Sequence, residues 1–168
     1  MDELERRLRR VEDRWEIADL IADYALKVDD RDWAAIEDMY AEDSVFDSAA
    51  GRHEGRAAVT KYYAERTELF GVTYHIPHTH TVTFVSDDEA TGVVAGHAEL
   101  SYGGSGFIIA MRYHDLYVRE RGRWRFKERD VRQLYAVPMA DLPEAMTQEL
   151  RKRWPGTEPA PADLGIYR

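Results

Sequence analysis

The sequence predicts an α+β fold: a cone-shaped α+β barrel, with a curled antiparallel sheet covered by three N-terminal helices and a further helix near the C-terminus. Three observations lead there. As far as Leu69, apolar residues recur at spacings of three and four. After Phe70-Gly71 the spacing changes to every second position. Four alternating segments then succeed one another, separated only by short turn sequences. Helices in one block and hairpins in the next describe an α+β domain with an antiparallel meander. If the sheet curls, it leaves a pocket on the face that the helices cover.

The first helix is predicted over Asp2 to Val28. Leu4, Leu8, Val11, Trp15, Ala18, Ala22, Ala25 and Val28 form its apolar stripe. Up to Glu16 its remaining surface alternates arginine with glutamate and aspartate, as a solvated helix with ion pairs one turn apart does, and this part is expected to pack on another subunit. A second short helix starts at Arg31-Asp32, capped by Asp32, with Trp33, Ile36, Met39 and Tyr40 on its buried side. Ser44 to Asp47 reads as a short strand and Gly51 to Gly55 as a loop. The third helix runs from Arg56 to Leu69, with Val59, Tyr62, Tyr63 and Leu69 as its apolar members. The four long strands are Val72 to Val85, Ala90 to Tyr102, Phe107 to Arg119 and Trp124 to Leu134. The turns between them are rich in Gly, Asp and Arg. A last helix is expected from Leu142 to Arg153, stopped by Trp154-Pro155-Gly156, and then a surface tail from Thr157 to Tyr167.

With 168 residues the chain reads as a single domain, 1–168, able to bury about 70% of its unfolded surface. Its hydrophobic content of 44% is too high for a chain disordered throughout. No apolar run is long enough to span a membrane, and the first residues carry no signal-peptide core, so a cytoplasmic protein without a membrane partner is expected. The absence of cysteine removes disulfides, thiol catalysis and thiolate metal centres. The net charge of -9 argues against a nucleic-acid partner, which would call for a basic face.

Polar groups stand among apolar ones at four places: Tyr24 and Asp29 at the end of the first helix, His75 at the start of the first long strand, and Arg132 at the end of the last. Alternation from Trp124 and Phe126 carries Glu128, Asp130 and Arg132 along the covered face toward the rim, either as an internal ion-pair network or as part of a site. Three histidines lie close together in Tyr74-His75-Ile76-Pro77-His78-Thr79-His80. His78 and His80 share one face, with His75 on the other unless Pro77 shifts the phase. No known ligand spacing accompanies them, so no metal is assigned. On the second long strand Gly92, Val94, Gly96, Ala98 and Leu100 form the pocket face, which turns His97 and Glu99 outward. The third carries Arg112, Tyr113 and His114, with either face open to the interior. Trp33, Phe46, Tyr62, Phe107, Ile109 and Met111 are candidate apolar walls for a small-molecule substrate, with Ala98 and Tyr113 completing the set.

These segments resemble the SnoaL-like branch of the nuclear-transport-factor-2-like superfamily. The cues are Ile17 to Tyr24, Val28-Asp29-Asp30-Arg31-Asp32-Trp33, Tyr40 to Phe46, Glu89-Ala90-Thr91-Gly92 and Gly122-Arg123-Trp124-Arg125-Phe126. The likeness covers about residues 14 to 140, leaving 141–168 as the C-terminal helix and tail. Within the branch the chain is similar to scytalone dehydratase, lindane dehydrochlorinase and bile-acid 7-alpha-dehydratase. The resemblance implies that Asp29 pairs with His75 as a general base, that Tyr24 assists, and that Arg132 is the functional arginine. It departs on the second long strand, where Ala98 and Leu100 stand in place of a further acid or histidine.

The expected function is therefore a cofactor-independent lyase. It would act as a dehydratase on a small, largely apolar hydroxylated metabolite, such as a polyketide, a steroid or an aromatic compound. An isomerase or cyclase using the same pair is one alternative. A non-catalytic binding or assembly subunit is another, and it would require a separated pair and a filled pocket. A homodimer or homotrimer is expected from the charged first helix and the resemblance.

Overall fold

The structure, a computed structural model, describes residues 2–163. Its elements are α1 (Glu3–Asp29), α2 (Trp33–Met39), β1 (Tyr40–Ser48), β2 (Gly51–Glu54), α3 (Arg56–Thr67), β3 (Phe70–Phe84), β4 (Glu89–Tyr102), β5 (Ser105–Glu120), β6 (Arg123–Pro138), a 3-10 turn (Met139–Asp141) and α4 (Leu142–Ala145). The strands form one curled sheet in the order β2-β1-β6-β5-β4-β3. The fold is the α+β cone that the hydropathy pattern predicts.

α1 begins in a capping box: the Asp2 side chain accepts the Glu5 N–H, and Glu5 returns the bond to the Asp2 N–H. α2 is capped by Asp32, which accepts the Ala35 N–H. The β4–β5 turn uses Gly103 and Gly104 at φ 57° and 80°, the backbone that tight two-residue hairpins require. The helices pack on the concave face. Ile17, Ile21, Val28, Ile36 and Val59 meet Val94, Tyr117, Phe126 and the rest of the inner row in one core. A smaller cluster of Ala110, Tyr135, Val137 and Ala145 lies on the opposite face of β5 and β6.

Several expectations are corrected. The segment from Gly51 to Glu54 is a strand rather than a loop, paired antiparallel with β1. β1 itself runs parallel to β6, so the sheet is not wholly antiparallel. α3 ends at Thr67, and Leu69 is exposed. The helix predicted to Arg153 stops after one turn at Ala145, and Met146 and Leu150, which continue its apolar spacing, are exposed. Beyond that turn the chain folds back, with Arg151 bridging Ala160. The part of the predicted tail past residue 163 lies outside the described residues.

On α1 the buried side consists of Asp13, Ile17, Ile21, Tyr24, Ala25 and Val28. The stripe that begins Leu4, Leu8, Val11 and Trp15 faces solvent instead. The start of the helix is held down by its arginines. Arg10 donates to the Ser86 carbonyl and pairs with Asp87, while Arg119 and the Trp124 indole both donate to the buried Asp13 carboxylate.

Three of the sheet's register shifts set which side chains look inward around the hollow. Pairing skips His78 in β3, and Lys127 and Leu134 in β6. Each extra residue reverses the alternation beyond it. In β6 the inner row is thus Trp124, Phe126, Arg129 and Val131, not Trp124 to Arg132 in even steps.

Candidate active site

Asp29 is the last residue of α1, and His75 lies across from it near the start of β3. The Asp29 Oδ1 atom is 2.7 Å from His75 Nδ1, and Oδ2 accepts the His75 backbone N–H, also at 2.7 Å. Burial raises the proton affinity of Asp29, but the ring, charge and backbone N–H of His75 outweigh it, holding the carboxyl below its ordinary value. An ionised carboxylate only accepts, so Nδ1 carries a proton, and in the neutral ring the lone pair is on Nε2.

Tyr24 stands one turn earlier on α1. Its ring meets the His75 imidazole edge to face, with centroids 6.5 Å apart. Its hydroxyl lies 2.9 Å from that of Tyr63, which lies 2.9 Å from that of Tyr40. Burial pushes the Tyr24 phenol upward, offset in part by the nearby Arg129 charge and the Tyr63 bond, so it remains a neutral donor. Tyr40 and Tyr63 are pushed up further by the same burial.

Beneath these rings is a fully buried ion pair. Arg129 donates from Nε and Nη2 to the two oxygens of Asp115, at 2.8 and 2.7 Å, and Tyr117 adds a third bond to that carboxylate. Burial opposes the Arg129 charge, but Asp115 more than compensates and keeps the guanidinium protonated. The same guanidinium lies over the rings of Tyr24, Tyr113 and Phe126, at 4.1, 4.3 and 3.9 Å from their centroids.

Of these groups, Tyr24, Tyr63, His75 and Tyr113 line an open cavity of about 370 Å³. Its walls are mostly apolar: Val28, Phe46, Tyr62, Tyr63, Ala98, Leu100, Ile109, Met111, Tyr113 and Val131, with Tyr24, Thr73 and His75 as polar groups. Ala49, Ala50, Arg66, Arg153 and Trp154 also line it. Arg66 stacks on Trp154 at 4.3 Å, and Arg153 pairs with Asp163.

The structure therefore brings Asp29, His75 and Tyr24 together, and places Phe46, Tyr62, Ala98, Ile109, Met111 and Tyr113 on the cavity wall. Trp33 and Phe107 pack in the core and are not among the lining residues. Arg132 is corrected outright. The skipped Lys127 turns it to the outer surface, where it pairs with Asp130. Arg129 occupies the interior instead. A signal was present: Val131 is apolar and of opposite parity to Phe126, which requires a phase change between them. Asp115 was likewise legible in the odd-numbered apolar row from Phe107 to Tyr117. Tyr40 and Tyr63 left no comparable trace, because their contact joins separate elements.

The skipped His78 also separates the clustered histidines. His78 meets His97 on the outer face at 2.6 Å. Among the described residues no group of three or more His, Asp or Glu could hold a metal ion. The non-catalytic reading needed a separated pair and a filled pocket. The pair is in contact and the cavity is open.

A curled sheet with helices across its concave face is the architecture of the nuclear-transport-factor-2-like proteins. Residues 9–130 match the SnoaL-like domain, and the chain belongs to that family. Among solved structures it is similar to LinA (25% identity, TM-score 0.74, covering 80% of this chain and 94% of that one). It is also similar to a hexachlorocyclohexane dehydrochlorinase, LinA type 2 (21%, TM-score 0.76, covering 90% and 99%). A third neighbour is a putative scytalone dehydratase from Novosphingobium aromaticivorans (20%, TM-score 0.74, covering 91% and 95%). A search of curated proteins finds no match. No helix among the described residues is long and apolar enough to cross a membrane.

Proposed function

We propose that this protein is a lyase that needs no cofactor and removes water from a small, largely apolar hydroxylated metabolite. The observation that carries the reading is the pair of hydrogen bonds between Asp29 and His75, beside the cavity that His75 lines. Neighbours named as a dehydrochlorinase and a scytalone dehydratase support the reaction class.

In this reading His75 Nε2 takes a proton from the carbon next to a carbonyl or similar group. The electrons of that C–H bond become the new C=C bond, and the C–O bond to the neighbouring hydroxyl breaks. The departing oxygen takes back the proton held by the imidazolium and leaves as water. Asp29 keeps Nδ1–H oriented and stabilises the cation formed in between. Tyr40 and Tyr63 can donate in sequence toward Tyr24, which leaves the Tyr24 O–H free to donate a hydrogen bond, without giving up its proton, to the departing oxygen or the developing enolate. Arg129 is already neutralised by Asp115, so it clamps the rings of Tyr24 and Tyr113 rather than binding substrate.

The test is incubation with β-hydroxy carbonyl compounds built on polyketide, steroid and aromatic skeletons, with mass detection of the products. A loss of one water that disappears in His75→Ala establishes the lyase. A product of unchanged mass would instead make it an isomerase or cyclase, and no turnover on any skeleton would remove the enzymatic reading.

A further inference from the structure

The exposed stripe of α1 has the spacing of a coiled-coil seam. From Leu4 the apolar residues recur at Leu8, Val11, Trp15, Ala18 and Ala22, in alternating steps of four and three. That is the spacing of the two core positions of a heptad, and it is sustained over five steps. None of the four large side chains has an internal home: Leu4 is 73% exposed, Leu8 57%, Val11 51% and Trp15 72%. The helix has spent a separate face, centred on Ile17, Ile21, Tyr24 and Val28, on its own domain. The seam is displayed rigidly, because Arg10 and Asp13 pin the N-terminal half to the β3–β4 turn and to Arg119.

The flanks say what covers it. Beside the seam on one side stand Arg7 and Arg14, both exposed. On the other stand Glu5, Glu12 and Asp19, also exposed. One flank is basic and the other acidic over the same two heptads. In a parallel, in-register pair, each flanking residue meets the opposite flank of its neighbour five positions later. That sets Arg7 against Glu12 and Arg14 against Asp19 of the other helix. Arg14 also donates to the Val82 carbonyl of its own chain, so Arg7–Glu12 is the freer pair. An antiparallel pair would set the acidic flank against itself. A partner with a uniformly charged face would satisfy one flank and be repelled by the other.

We propose that a second copy of this chain docks here, the two α1 helices packing parallel and in register through Leu4, Leu8, Val11, Trp15, Ala18 and Ala22. The opposite, domain-facing side of each helix leaves the two cones on either side of the seam.

The test uses the full chain. Sedimentation equilibrium of the wild type gives a mass above the 19.5 kDa of one chain, and the Leu8→Glu, Trp15→Glu double variant gives a lower one. Circular dichroism confirms that the variant is folded, as expected for changes at exposed sites. Glu12→Arg raises the dissociation constant about tenfold by setting like charges together on both sides of the pair, and adding Arg7→Glu restores it. The chain has no cysteine, so Val11→Cys gives a clean readout. In register, the two residues at position 11 come close enough to form a disulfide between chains under mild oxidation. A wild type of one chain at micromolar concentration overturns the proposal. So does a double variant of unchanged mass, a Val11→Cys chain that stays uncrosslinked, or a charge swap that fails to restore association.

Discussion

Asp29 holds His75 at two points, one oxygen on the ring nitrogen and the other on the backbone N–H of the same residue, each at 2.7 Å. The carboxylate therefore fixes both the tautomer of the base and the position of the strand that carries it. Elsewhere α1 meets β3 through packing, the Arg14 bond to the Val82 carbonyl, and the Arg10 and Arg14 guanidinium groups over the Phe84 ring.

Replacing Asp29 by Asn leaves one acceptor for two donors. We expect Asp29→Asn to lower kcat by about 10²- to 10⁴-fold, the usual range for losing a positioned base, while the thermal midpoint moves by a few degrees. Steady-state rates and a melting curve on the same preparation check this. Collapse of the fold would instead make the pair structural.

The lowered proton affinity of Asp29 has a consequence for stability. Because the folded state holds this carboxyl below its unfolded value, the pair stabilises the fold above the ordinary carboxylate range and loses that contribution as pH falls through it. Urea unfolding of wild type and Asp29→Asn should differ at pH 7, and the gap should close as pH falls below the ordinary carboxylate range and through the lower folded-state value. A gap that persists at the acid end would contradict this.

Arg129 and Arg132 make a matched comparison. Arg129→Met strips the partner from a carboxylate with no solvent access and should cost about 3–5 kcal/mol in urea unfolding. Arg132→Ala removes a surface pair and should stay within about 0.5 kcal/mol, with turnover unchanged. The reverse order would restore the even-step alternation of β6.

Tyr63→Phe deletes one oxygen between two others. It should destabilise by about 1–3 kcal/mol, because the Tyr24 and Tyr40 hydroxyls lose their buried partner. It should also lower kcat more than it raises KM. A variant with full turnover would remove the tyrosine chain from the mechanism.

Much of this architecture was legible in the sequence because the change from helical to alternating periodicity is local. So were Asp29 and His75, whose neighbours carry the family resemblance. The losses trace to single residues. Lys127 shifts β6 by one, and that sends Arg132 outside and Arg129 inside. His78 does the same in β3. A bulge leaves little mark in composition, only a parity conflict between apolar residues on either side of it. The parallel pairing of β1 with β6 spans some eighty residues and has no local signature at all. At the other extreme the α1 stripe read correctly as apolar, but spacing alone does not say which of two faces turns to the domain.

The cavity divides by origin. Its Asp29–His75 end comes from α1 and β3, whereas most of its apolar lining comes from α3, β4, β5 and β6. Residues such as Ala98, Ile109 and Met111 take no part in the hydrogen bonds that hold His75. In the proposed lyase, selectivity would thus drift, or be re-engineered, by trading bulk at those positions while the Asp29–His75 pair is inherited intact.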